Sequence, residues 1–259
     1  MGRAGRDGRV TADDLPLAGR AALVTGVGPG IGEHVARAFA AAGASVVLCA
    51  RSAERIEAIA ADIGDRAIAV TADIGRRDDL DRLLTTADRF GPVQILFHNA
   101  AAGVAGHKSS LDLTEDDWRA AVDVNVMAPF LLAQALVPGM RVAGGGSIIN
   151  VLSTAGSTPV PGIGAMAYGA TKAALQMLTR YLAQECGPDV RANCICPGTI
   201  DPEGAMRPVW EPLLYKIPMH RIGRADEVVG AAMFLASDAS SYVTGQTIFV
   251  DGGRVNAGA

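Results

Sequence analysis

The sequence predicts a doubly wound α/β domain: one parallel sheet of about seven strands, with helices on both faces. Three observations predict it. Short, nearly all-apolar runs recur along the chain, which is how strands buried on both faces of a parallel sheet read. Longer amphipathic stretches alternate with them, and strand–helix alternation with right-handed crossovers builds such a sheet. A Gly-rich turn joins the first apolar run to the first amphipathic one, where an open α/β sheet presents a helix N-terminus to a phosphate.

The elements follow in order. Ala21–Thr25 is the first strand, and a helix over Ile31–Ala42 follows, with Gly43 at its C-cap. A glycine suits that position because the chain there often turns left-handed. Ser45–Ala50 leads to a helix over Ala53–Ile63, and Ala67–Val70 to a helix over Arg77–Phe90. Gln94–His98 precedes a long helix over Glu115–Val137. Thr114 is its N-cap, and the acidic residues after it match the positive end of the helix dipole. Ser147–Leu152 precedes a helix over Tyr168–Gln184, with Gly187 at its C-cap. The last strands are Val190–Cys196 and Gln246–Val250, with a helix over Ala225–Ala236 between them. No repeat or linker interrupts the series. Residues 17–259 are therefore expected to form one domain, with 1–16 a flexible tail.

Composition narrows the function. The chain has 259 residues, is 49% hydrophobic and carries a net charge of -4. That excludes bulk disorder, and a chain of this size buries about 70–75% of its unfolded surface without metal or disulfide. The charge argues against a nucleic-acid binder, which needs a basic surface to displace counterions. The apolar runs fall short of the ~20 residues of a membrane span, and Met1–Asp14 has no apolar core for a secretory signal. Neither nucleic acid nor membrane is an expected partner. Cys49, Cys186, Cys194 and Cys196 lack metal or redox spacing and read as small buried hydrophobes of a reducing compartment, the cytoplasm. His34, His98, His107 and His220 form no metal-ligand pattern, so no metal is expected. For His98, a local hydrogen bond at a strand end is the expected role.

The stretch Thr25-Gly26-Val27-Gly28-Pro29-Gly30-Ile31-Gly32 has glycines for a tight turn and for close backbone approach to a pyrophosphate. Its Thr-Gly-x-x-x-Gly-x-Gly spacing resembles the classical short-chain dehydrogenase/reductase family. The resemblance runs from about Leu17 to Gly253. His98-Asn99-Ala100-Ala101 is similar to the family's Asn-Asn-Ala-Gly turn. Asn125 lies in Val-Asn-Val, Ser153 ends the fifth strand, and Tyr168-Gly169-Ala170-Thr171-Lys172 matches Tyr-x-x-x-Lys. Pro197-Gly198 follows the sixth strand, and Val243-Thr244-Gly245-Gln246 and Asp251-Gly252-Gly253 resemble the C-terminal segment. Within the family the chain is similar to 3-oxoacyl-carrier reductases and to glucose or polyol dehydrogenases.

The resemblance implies a Rossmann-type fold and hydride transfer between NADP(H) or NAD(H) and a ketone or secondary alcohol. Tyr168 and Lys172, four apart, share one helix face. A nearby ammonium and an oxidised nicotinamide would favour the phenolate of Tyr168, whose reference pKa is ~10. Tyr168 would then move the proton, Ser153 would hold the substrate oxygen, Lys172 would also bind the nicotinamide ribose, and Asn125 would hold a water. The other cofactor contacts implied are Gly26, Gly30, Ile31, Arg51, Asp73, Ile74, Asn99, Ala100, Pro197, Gly198 and Ile200. Ala50 stands where an acidic residue would select NAD, and Arg51 beside it can pair with a 2′-phosphate, so NADP is expected, with NAD the alternative.

Some positions depart from the family. His98 and Ala101 replace the commoner Asn and Gly, the Ser153–Tyr168 interval is long, and Pro202 stands where a Thr often contacts the cofactor. Residues 200–222 form the expected substrate lid, rich in apolar side chains such as Met206, Val209 and Trp210. Arg207, Lys216, His220 and Arg221 there read as a solvated rim or as contacts to an anionic group. The substrate expected is a small to medium, partly apolar carbonyl or alcohol. The resemblance also implies a homotetramer packed through the fourth and fifth helices. A non-catalytic cofactor-binding sensor, or an epimerase or dehydratase on the same fold, is the competing expectation.

Overall fold

A computed structural model describes residues 15–104, 109–160, 163–202 and 211–255. The expected tail at 1–16 lies largely outside the described residues, as do residues 203–210 of the expected lid, with Met206, Arg207, Val209 and Trp210, and also His107.

The strands are β1 (Ala21–Thr25), β2 (Ser45–Ala50), β3 (Ala67–Thr71), β4 (Val93–His98), β5 (Gly146–Val151), β6 (Val190–Pro197), β7 (Ile200–Asp201), β8 (Gly223–Arg224) and β9 (Thr247–Val250). The helices are α1 (Ile31–Ala41), α2 (Ala53–Ile63), α3 (Arg77–Ala87), α4 (Glu115–Val122), α5 (Ala128–Val142), α6 (Met166–Cys186), α7 (Glu211–Leu214) and α8 (Val229–Ala236). Seven strands pair in parallel in the order β3-β2-β1-β4-β5-β6-β9. This is the doubly wound sheet that the alternation of apolar and amphipathic runs predicts.

The core explains why the strands read as unbroken apolar runs. Along β1, Ala22 and Val24 face a layer built on α1, α2 and α8, while Leu23 faces the layer of α3, α5 and α6. Both faces are covered, so the strand is apolar up to its carboxyl end, where buried Thr25 stands. Phe39 of α1 and Phe97 of β4 meet edge to face, with ring centroids 5.9 Å apart.

Two features depart from the sequence reading. The long helix does not stop at Val137. It runs unbroken from Glu115 to Val142, past Pro138, and its 28 residues are long and apolar enough to cross a membrane by length and composition. One side of it, including Leu132, Leu136 and Met140, is buried in the second layer of the core. It is thus a core helix in this fold, and core burial accounts for its apolarity. Midway, Asp123–Met127 widen into a π turn, a local distortion often found at functional positions. The second departure lies in the lid region, where no strand was expected. Ile200–Asp201 and Gly223–Arg224 pair in parallel and bracket it, and Ile217 is buried beneath Gly252. The Thr114 cap is present as a capping box with Asp117, and all four cysteines are free and buried.

Candidate active site

The carboxyl ends of β1 and β4 lie side by side, Thr25 paired with His98. The Gly-rich turn leaves β1 there. Gly26 has φ +69, and a side chain on it would meet the Ala100 backbone at 2.5 Å. The close approach that excludes a side chain at Gly26 is therefore with the second turn of the site. Asn99 Nδ2 donates to the Gly26 carbonyl at 2.8 Å and holds the two turns together. A side chain on Gly28, by contrast, would meet nothing within 4 Å, so this part of the turn stays open to a ligand.

Between these turns and the end of β2 lies a pocket of about 500 Å³. Of the expected cofactor residues, Gly26, Arg51, Asp73, Ile74, Asn99 and Ala100 line it. The turn residues Gly26 to Pro29 that line it lead into the N-terminal end of α1, whose N-cap Gly30 makes no side-chain cap and which carries partial positive charge. The backbone cradle and the helix end fit a dinucleotide pyrophosphate. Pro202 stands over this turn, 3.2 Å from where a side chain on Gly30 would be. Ser52 and Arg55 line the same pocket beside Arg51. Arg55 was missed in the sequence, although its i,i+4 spacing from Arg51 could have revealed it. Arg55 Nη1 donates to Glu33 at 3.0 Å.

A different group sits at the ends of β5 and α6. The Ser153 hydroxyl lies beside the Tyr168 phenol and accepts from the Ala155 N–H at 3.2 Å. Lys172 is buried, its Nζ 5.7 Å from the Tyr168 ring centroid and donating to the Val151 carbonyl at 2.6 Å. Burial pushes the phenol above its ordinary value, and the Ser153 hydroxyl opposes this. In the protein alone burial thus outweighs the expected lowering of that phenol. The same burial brings the Lys172 ammonium down to about 8, because removing a cation from water favours its neutral form.

Asn125, in the π turn, is also buried. Its Oδ1 accepts from Ala102 N at 3.0 Å, and its Nδ2 donates to the Ala102 carbonyl at 2.8 Å and to Thr171 Oγ1 at 2.9 Å. The side chain expected to hold a water is thus committed to protein partners, and it fixes the segment after Ala100 against the helix of Tyr168. Pro197 is buried, and Gly198 donates its N–H to the Val250 carbonyl at 3.0 Å. Ile200 packs toward the core and lines a second cavity, of about 550 Å³. Gly30, Ile31, Tyr168, Lys172, Pro197, Gly198 and Ile200 therefore lie outside the 500 Å³ pocket, which the other expected cofactor residues line. Arg221, one of the rim cations, is taken up by Glu227 at 2.8 and 2.7 Å.

The fold and this site together define a nicotinamide-dependent α/β enzyme with a Ser–Tyr–Lys group at the carboxyl edge of its sheet. A family model described as enoyl-(acyl carrier protein) reductase matches residues 26–254. The chain is 36% identical over 249 residues to dehydrogenase/reductase SDR family member 4 of Homo sapiens, covering 92% of this chain and 88% of that protein. The structure of 3-ketoacyl-(acyl-carrier-protein) reductase from Brucella melitensis complexed with NADH matches at a TM-score of 0.84 and 34% identity, covering 92% and 99% of the two chains. That of 7α-hydroxysteroid dehydrogenase complexed with NADH and 7-oxo glycochenodeoxycholic acid matches at 0.85 and 35%, covering 95% and 98%. The chain belongs to the short-chain dehydrogenase/reductase family, and it is an NAD(P)-dependent oxidoreductase acting on CH–OH or carbonyl groups.

Lys172 yields a test of stability against function. Its value in the folded chain, about 8, lies below the 10.5 of the free side chain, so the unfolded chain binds more protons between these pH values. Stability contributed through Lys172 therefore rises as pH climbs from about 8 toward 10.5. At pH 7 the buried ammonium is at full cost. Lys172→Met is expected to melt about 2–4 °C above the native chain at pH 7, with the gap closing by pH 10, while turnover falls steeply. A variant that melts lower at pH 7, or a gap that widens with pH, contradicts the assignment.

Proposed function

We propose that Tyr168 is the proton donor and acceptor of the reaction, with Ser153 holding the substrate oxygen and Lys172 and Asn125 supporting them. The observation that carries this reading is the placing of Ser153 beside the Tyr168 phenol, with the buried Lys172 Nζ 5.7 Å from the Tyr168 ring centroid. Bound nicotinamide supplies or receives the hydride. With its phenol raised by burial, Tyr168 is protonated at neutral pH and suited to give its proton to a carbonyl oxygen. Ser153 donates a hydrogen bond to that oxygen as charge develops on it. In the reverse direction Tyr168 takes the alcohol proton, and the Lys172 ammonium stabilises the resulting phenolate. Lys172 also reaches the nicotinamide ribose, near Gly30, Ile31, Pro197, Gly198 and Ile200. Asn125 keeps the Ala102 segment against the helix of Tyr168.

We infer NADP(H) as the cofactor. Arg51 and Arg55 bring two guanidiniums to the pocket wall, Arg55 paired with Glu33, Ala50 adds no carboxylate, and Ser52 at the start of α2 makes no side-chain cap. That helix end and the two guanidiniums suit a 2′-phosphate. NAD(H) is the second reading, favoured by the NADH bound in the two solved relatives. Asp73 and Ile74 lie where the adenine would rest. The substrate is a small to medium, partly apolar carbonyl or alcohol. Val104, Ile163 and Met166 supply exposed apolar surface near Tyr168, and Gly103 runs close to the Tyr168 backbone. Residues 200–222 act as the lid of a single catalytic domain spanning 17–259.

The enzyme is read as a cytoplasmic homotetramer. Four buried free thiols fit a reducing compartment. Met127 and Phe130, from the π turn and α5, and Met177 and Tyr181 of α6 leave apolar surface exposed, which suits helix packing between subunits. Light scattering at micromolar concentration should give about four chains per particle, and a monomer would contradict this.

Tyr168→Phe should lower kcat by about 10²–10⁴ while cofactor affinity is kept, as followed by NADPH absorbance during ketone reduction and by cofactor titration. Near-native turnover in that variant removes Tyr168 from the reaction. Arg51→Asp should lower kcat/KM for NADPH by at least about tenfold, the loss of one charge-assisted contact, with little change for NADH. Equal losses with the two cofactors refute the role given to Arg51.

A further inference from the structure

His98 ends β4 with no solvent exposure, and the reaction just described makes no use of it. Its surroundings fix its protonation. Thr25 Oγ1, also buried, accepts from the Asn99 N–H at 3.2 Å and from the Ala100 N–H at 3.4 Å. A hydroxyl oxygen has two lone pairs and one proton. With both lone pairs directed at backbone donors, the proton is left for the third neighbour, His98 Nδ1, at 3.1 Å. His98 Nδ1 must then offer a lone pair, so the ring is neutral and carries its proton on Nε2. An imidazolium would set an N–H against the Thr25 O–H. Nε2 faces the backbone of Val124 in the π turn without a hydrogen-bond partner of good geometry.

This ring therefore sits behind the junction of the two turns that line the adenosine side of the pocket. The Thr25 hydroxyl holds the Asn99–Ala100 backbone, and Asn99 in turn holds the Gly26 carbonyl at 2.8 Å. We propose that His98 is a positioning residue for the dinucleotide. Its Nδ1 lone pair orients the Thr25 hydroxyl, and that hydroxyl keeps the Asn99–Ala100 turn seated against the Gly26 turn. The role rests on the reading of the 500 Å³ pocket as the cofactor site and adds to it a residue that touches neither cofactor nor substrate.

The test separates an acceptor from a space-filling ring. His98→Asn keeps an acceptor but leaves a smaller side chain, whereas His98→Leu fills more of the space and accepts nothing. NADPH and NADH dissociation constants are measured by fluorescence titration of the full chain, with KM and kcat for each variant. His98→Leu should weaken cofactor binding about tenfold, the loss of one buried hydrogen bond, and raise the cofactor KM more than it lowers kcat. His98→Asn should recover most of the affinity. Equal losses, or a smaller loss in the Leu variant, overturn the proposal. If His98→Leu fails to fold, Thr25→Val against Thr25→Ser poses the same question, with the hydroxyl present only in Ser. Nitrogen-15 NMR of the histidine rings reports the tautomer without any cofactor, and an Nδ1–H ring at His98 also overturns the proposal. A native chain that binds neither NADPH nor NADH would instead refute the pocket reading, and the tautomer result would stand apart from it.

Discussion

From β1 the chain winds outward through β2 to β3, then crosses back to place β4 on the other side of β1. At this reversal the connections leave the sheet edge in opposite directions, and a crevice opens between them. Residues 73 apart in sequence are thereby joined through the Thr25 hydroxyl, and the Gly-rich turn meets the Asn99–Ala100 turn at backbone contact. The 500 Å³ pocket opens beside that junction. The junction also changes the meaning of the glycine motif, because Gly26 is small for the sake of the protein's own second turn.

The Ser153–Tyr168–Lys172 group is under a different constraint. Burial acts on Tyr168 and Lys172 in opposite directions, raising the phenol and lowering the ammonium. Each shift favours the neutral form, since a low-dielectric surrounding penalises charge of either sign. The site thus holds a proton on the phenol and keeps a cation close to losing its own. The surrounding fold offsets this cost. α6 spans 21 residues, and Thr171, Lys172 and Leu175 on it are all buried. Asn125 donates two hydrogen bonds and accepts one, and so ties that helix to the Ala102 segment. The cost of withdrawing these groups from water is offset by the apolar layers on both faces of the sheet.

Much of this architecture is legible in the residues themselves. Ala21–Thr25, Ser45–Ala50 and Ala53–Ile63 have the same bounds in the sequence reading and in the structure. Their signals are local: an apolar run covered on two faces, or an amphipathic stretch of helical period. The Thr114 cap is equally local. The sequence reading ends the long helix at Val137, whereas packing of Met140 carries it past Pro138 to Val142. The β7–β8 ladder escaped notice since each strand is only two residues and neither has a period to read.

The sequence by itself determined the class of sheet, the place of the Gly-rich turn, and the pairing of Tyr168 with Lys172 on one helix face. All three follow from spacing within a single element. Only the tertiary structure decided that Asn125 braces Ala102, that Arg55 joins Arg51 at the pocket wall, and that His98 faces Thr25. These relations depend on which strand lies beside which and on how deeply each group is withdrawn from water. Neither property is carried by a residue's neighbours in the chain, because both arise when distant segments close over a shared core.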